Sequence, residues 1–62
     1  MGAGSGEVYF EFIRVGAAMR VSAIDGRTGI EVTVMGPAHA AQSDLERLAL
    51  AKLKRRLAQL SE

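Results

Sequence analysis

The chain has 62 residues, no cysteine, and eight Lys and Arg against seven Asp and Glu. A chain this short holds one small core that buries about 60% of its unfolded surface, and its near-balanced charge argues against a partner held mainly by electrostatics. Without cysteine there are no disulfide staples or thiolate metal sites, no apolar run approaches the ~20 residues of a membrane span, and the N-terminus lacks the basic start and apolar segment of a secretory signal; the expectation is a soluble, cytoplasmic protein without membrane contact.

Residues 1–6, Met-Gly-Ala-Gly-Ser-Gly, carry too little side chain to offset the entropy of ordering and read as a flexible arm ahead of a single domain over 7–62. The glycines are not a phosphate cradle, because no strand precedes them and no Gly-Lys-Ser/Thr follows. From Glu7 to Val15 apolar residues alternate with period two, placing Val8, Phe10 and Phe12 on one face and Tyr9, Glu11, Ile13 and Val15 on the other. Gly16-Ala17 marks a turn. Ala18 to Ile24 returns as a second strand, with Met19, Val21 and Ala23 facing one way and Arg20, Ser22 and Ile24 the other.

Asp25-Gly26-Arg27-Thr28-Gly29 is the strongest turn signal: Asp25 can accept a hydrogen bond from its own turn, and Gly29 can take the positive φ that closes it. This hairpin sets the register, so that Ile30, Val32 and Val34 of a third strand over Ile30 to Met35 share the face of Val21 and Ala23. Gly36-Pro37 is expected to stop the sheet, and Ala38 to Gln42 to connect it to a helix.

Ser43-Asp44-Leu45-Glu46 matches a capping box and predicts that the helix begins at Ser43. Leu45, Ala49, Leu50, Leu53, Leu57 and Leu60 then lie in a stripe about 140° wide at about 100° per residue, with Leu48 outside it. The fold class expected is therefore α+β: a three-stranded antiparallel meander, βββα, with one C-terminal helix across one face. Its core comprises Val8, Phe10, Phe12, Met19, Val21, Ala23, Ile30, Val32 and Val34 beneath Leu45, Ala49, Leu53, Leu57 and Leu60.

No set of residues points to catalysis. His39 is the sole histidine and has no ligand set around it, so neither a metal nor a cofactor is expected. Ser43 and His39 flank one loop, but capping accounts for Ser43, and no third group orients the histidine. Asp25 and Glu31 flank a tight turn, where aspartate is a turn former and glutamate a solvated strand residue. The run Lys52, Lys54, Arg55, Arg56 invites a nucleic-acid reading; against it, these residues point around much of the helix, and a basic C-terminal half complements the macrodipole.

The sheet face away from the helix carries more information. Tyr9, Ile13, Val15, Ile24 and Met35 lie there among Glu11, Arg20, Ser22, Glu31 and Thr33, on a side that one helix cannot cover. Apolar residues converging on one uncovered face signal an oligomer or protein partner, and the first and third strands are open edges able to accept another strand. The expected function is a non-enzymatic interaction module, self-associating through that face or an edge. The alternative is nucleic-acid binding through Arg14, Arg20 and Arg27 on the sheet side, or through Lys52, Arg55 and Arg56 on the helix.

The segments Glu7-Val-Tyr-Phe-Glu-Phe, Met19-Arg-Val-Ser-Ala-Ile-Asp, Thr28-Gly, Glu31-Val, Gly36-Pro-Ala and the closing Leu45-Glu-(x)-Leu-Ala helix resemble a family of short, uncharacterised bacterial proteins, a domain of unknown function of about this length. The resemblance spans the chain after the glycine arm and implies one domain, with no activity or site residues to carry over. A looser similarity is to three-strand-plus-helix DNA readers such as the plant ethylene-response domain, whose sheets enter the major groove through arginines and tryptophans. Here Arg20 stands alone in mid-face, and tryptophan is absent.

Overall fold

The computed structural model describes residues 7–61; the glycine arm expected over residues 1–6 lies outside the described residues. Three antiparallel strands, β1 (Val8–Val15), β2 (Ala18–Asp25) and β3 (Glu31–Pro37), form a sheet in the order β1-β2-β3, and the helix α1 (Gln42–Leu60) packs against it. This is the βββα meander that the alternation and the two short turns demand.

Both turns are built on glycine. Gly16, at φ +61°, is the first central residue of the two-residue loop between Val15 and Ala18, where a positive φ matches the turn to the strand twist. At the β2–β3 turn Gly29 has φ +76° and donates its N–H to the Asp25 carbonyl at 2.8 Å. The Asp25 carboxylate then accepts the Thr28 amide at 2.9 Å and the Thr28 hydroxyl at 2.7 Å, so the turn is tied from both backbone and side chain.

The register puts Phe10, Ala23 and Val32 in one row and Phe12, Val21 and Val34 in the next, all toward α1. Val21, Ala23, Val32, Leu45, Ala49 and Leu53 are buried, flanked by Val8, Phe10, Phe12, Met19, Ile30, Val34 and Leu57 as expected. Ala40 joins them from the connecting loop.

Four expectations are corrected. First, β3 runs to Pro37 and does not stop at Met35. Ala38 donates to the Ala17 carbonyl at 2.9 Å, so the neighbouring pair Ala18–Pro37 is a non-hydrogen-bonded one, and the missing N–H of Pro37 would have pointed away from β2.

Second, the helix starts at Gln42 with Ala41 as its cap, and no side-chain cap bond forms. Ala40 packs on the core and turns the chain through its amide on the Pro37 carbonyl, 3.0 Å, so helical geometry is reached a residue early and Ser43 lies exposed within the first turn. Third, Leu60 is 54% exposed. It projects from the middle of the apolar stripe into an open groove between the last turn of α1 and Arg27, Thr28 and Ile30. Fourth, the last turn carries no basic residue, so the macrodipole, which acts within a terminal turn, does not account for the basic run.

The helix lies over β2 and β3, with β1 largely beyond its footprint. One cause is Gly36. A Cβ placed there would overlap the Leu45 side chain, so the absence of a side chain lets the first turns of α1 sit directly on β3.

Candidate interaction surface

The strand register resolves the face away from α1 into four rows, each one residue from β1, β2 and β3: Tyr9–Ile24–Glu31, Glu11–Ser22–Thr33, Ile13–Arg20–Met35 and Val15–Ala18–Pro37. All five expected interface residues are on this face. The second row divides them. Tyr9 and Ile24 stand at one end, while Ile13, Val15 and Met35 gather with Ala18 and Pro37 around Arg20 at the other. Tyr9, Val15 and Met35 are at least half exposed, and Ile13 and Ile24 are half-buried. The dividing row is internally satisfied: the hydroxyls of Ser22 and Thr33 share a hydrogen bond at 3.1 Å, and Ser22 is buried between its neighbours.

The two sheet edges differ. On β3 the groups pointing away from β2 belong to Glu31, Thr33 and Met35, and the Lys52 ammonium of α1 donates to the Thr33 carbonyl at 2.7 Å. A lysine planted on an edge carbonyl opposes strand addition, so β3 is the more guarded of the two open edges. On β1 the Gly26 amide bonds to the Glu7 carbonyl at 2.9 Å, which fixes the alternation so that Val8, Phe10, Phe12 and Arg14 direct their N–H and C=O groups outward. Their side chains lie on the helix side of the sheet, and Val8, Phe10 and Phe12 are half-buried.

The arginines expected to act together on the sheet are dispersed. Arg20 is in mid-face; Arg14 pairs with Met19 on the opposite face, with its Nε donating to the Gly16 carbonyl at 3.0 Å; Arg27 is in the turn at the other end of the strands. The helix cations, by contrast, come together. Lys52, Arg55, Arg56 and Gln59, at spacings of three and four, line a shallow cleft of about 190 Å³ with Val32 beside the β3 edge. Counting basic residues around the whole helix concealed this, because Lys54 points elsewhere. Sequence spacing could have found it.

A larger open groove of about 490 Å³ lies between the last turn of α1 and the β2–β3 turn, lined by Ile30, Leu57, Leu60, Arg27, Thr28 and Ser61. His39 and Ser43 are exposed and line neither cavity. Among the described residues no group of His, Cys, Asp or Glu is arranged to hold a metal, and no helix is long and apolar enough to cross a membrane.

Two titrating groups are displaced. The Tyr9 hydroxyl donates to the Glu7 carboxylate at 2.7 Å, and that bond, reinforced by the negative charge, raises the phenol above its usual value. The two Thr28 hydrogen bonds, the hydroxyl's first, hold the Asp25 carboxyl below its usual value. Both bonds serve local structure, and neither group lies among converging polar side chains of the kind that mark a reacting centre.

The family model for the domain of unknown function DUF6898 matches residues 5–60. The chain belongs to that family. The match takes in every strand and the whole helix, so the sheet, its uncovered face and the Lys52-capped edge all fall within the DUF6898 segment. No curated protein and no solved structure matches the chain.

Proposed function

We propose that this DUF6898 chain is a non-enzymatic protein-interaction module of the bacterial cytoplasm, and that it self-associates through the part of the sheet its single helix leaves uncovered. The observation that carries this reading is the lopsided layering. Small domains bury each apolar face against a second layer, whereas here, among the described residues, one helix covers only β2 and β3 on one face and no element covers the other. The surface left over holds Tyr9, Ile13, Val15, Ile24 and Met35, together with the less guarded strand edge, β1.

The test is light scattering over a concentration range at low and high salt. A mass that doubles with concentration and ignores salt supports self-association, because apolar and backbone contacts are little screened. A monomer at every concentration overturns it.

A second reading, nucleic-acid binding, is favoured by one observation: three cations and a glutamine line the cleft beside β3 with no carboxylate among the lining residues. Phosphate contacts weaken steeply as salt rises. Titration with a duplex and a single strand at two salt concentrations, repeated for the variant Arg55→Ala/Arg56→Ala, tests it.

A further inference from the structure

We propose that the partner is a second copy of this chain, joined edge to edge along β1 in antiparallel register with Phe12 opposite Phe12 of the second copy. The proposal deepens the self-association reading and rests on it. It is argued from which edge is less guarded, from hydrogen-bond parity and from charge.

The less guarded edge is β1. Thr33 on β3 already accepts the Lys52 ammonium, and Pro37 has no N–H to offer, whereas Val8, Phe10, Phe12 and Arg14 direct outward backbone groups that have no partner among the described residues. Two copies related by a twofold axis must pair like edges. The result is one continuous sheet in the order β3-β2-β1-β1-β2-β3, with Lys52 on both outer edges. Such a dimer is closed and cannot grow into a fibre.

Parity and charge select the register. Only residues 8, 10, 12 and 14 present groups outward, so the axes that pair five or more strand residues pass at Phe10, Glu11, Phe12 or Ile13, and the last pairs only Glu11 to Val15. An axis at Glu11 pairs Val8 through Arg14, no more residues than an axis at Phe12, and sets that carboxylate directly against its own copy, which like charges oppose. An axis at Phe10 pairs only Val8 to Phe12 within the strand and leaves Ile13, Arg14 and Val15 outside the strand-to-strand ladder. An axis at Phe12 pairs Tyr9 through Val15. It stacks Phe12 on its copy, sets Arg14 beside the Phe10 ring in cation–π reach, and on the other face pairs Tyr9 with Val15, an aromatic with a β-branched residue.

Antiparallel pairing about this axis keeps both helices on the same side of the joined sheet. The half-buried Phe10 and Phe12, on the β1 side of α1, then form the floor between two helices. Leu50, at about 100° per residue, falls on the α1 flank opposite Lys52 and so overlooks that floor. The same contact thus pairs the outward backbone groups of β1 and covers the half-buried Val8, Phe10 and Phe12.

The absence of native cysteine makes the register measurable. Residues opposite each other lie about 4.5–5.5 Å apart at Cα, within disulfide reach. Under mild oxidation Phe12→Cys is expected to convert to a covalent species at twice the chain mass. The exposed pair Tyr9→Cys/Val15→Cys is expected to do the same without touching the core; the two positions are about 20 Å apart within one strand, so they cannot close on each other. Met35→Cys, on the outer face far from β1, is expected to stay at the chain mass. Circular dichroism confirms that each variant is folded. If the protein is dimeric but Met35→Cys cross-links while the β1 variants do not, edge pairing is overturned and self-association through the outer face stands. A wild type that is monomeric throughout overturns both.

Discussion

The Lys52 ammonium on α1 donates to the Thr33 carbonyl on β3 at 2.7 Å, and so a helix side chain closes one edge of the sheet the helix covers. Nineteen residues separate the two. The bond is exposed, so its worth to stability is small, about 0.5–1 kcal/mol. Its larger effect is on association, because an unguarded edge is a template for another strand. Lys52→Met keeps the aliphatic stem and removes the donor. The expected outcome is a nearly unchanged melting temperature and a scattering mass that climbs beyond the wild-type limit as concentration rises. A mass indistinguishable from wild type at all concentrations would show that the ammonium does not guard this edge.

Gly36 is where α1 meets β3 most closely. A side chain there has no room, because its Cβ would overlap the buried Leu45. Gly36→Ala should gain about 0.4–1 kcal/mol from a stiffer unfolded chain, yet lose about 1–3 kcal/mol from overpacking, so the net effect is destabilisation. Pairing it with Leu45→Ala separates the terms. If overpacking is the cause, the double variant loses less than the sum of the two single losses, as measured by chemical denaturation.

Strand period, both turns and the core face were legible because each depends on neighbours within a few residues. Period two fixes which of Phe10, Val21 and Val32 face inward, and Asp25 and Gly29 carry their turn chemistry in the side chain and the positive φ. The features that decide the surface were not local. The helix sits toward β3 because Gly36 admits Leu45, and that lateral placement bares β1 while carrying Lys52 to Thr33. Propensity also misled at the helix start. Ser43 and Glu46 satisfy a capping pattern, but Ala40, which packs against the core, sets where the helix begins. Leu60 kept the right face but looks into the open groove beside the β2–β3 turn, where the fold leaves it without close packing.

Asp25 makes the β2–β3 turn pH-sensitive. Thr28 holds its carboxyl below the ordinary 3.8, so the folded state prefers the ionised form. A depressed folded value means that the stabilisation is full above 3.8 and is lost as pH falls from there through the folded value. Wild type should therefore lose stability over that acid window, while Asp25→Asn, which cannot ionise, should start lower at neutral pH and show a shallower acid slope. Thermal melts of both proteins from neutral to strongly acidic pH check this; parallel slopes would remove Asp25 as the source.

Tyr9 works with the opposite sign. It is the only tyrosine, and the chain has no tryptophan, so its ultraviolet absorbance reports one phenol. Its hydroxyl donates to the Glu7 carboxylate, and loss of the proton would break that bond and set two anions side by side. A raised folded value means that the bond contributes fully below 10.0 and is lost as pH rises through the folded value. Spectrophotometric titration should find the phenol above 10.0, and Glu7→Gln should lower it toward that value, since an amide can still accept the hydrogen bond but carries no charge. The dimer adds a second expectation. Val15 of the second copy would cover Tyr9, so the raised value should climb further as concentration favours association; a phenol that titrates identically in dilute and concentrated protein would place Tyr9 outside any contact.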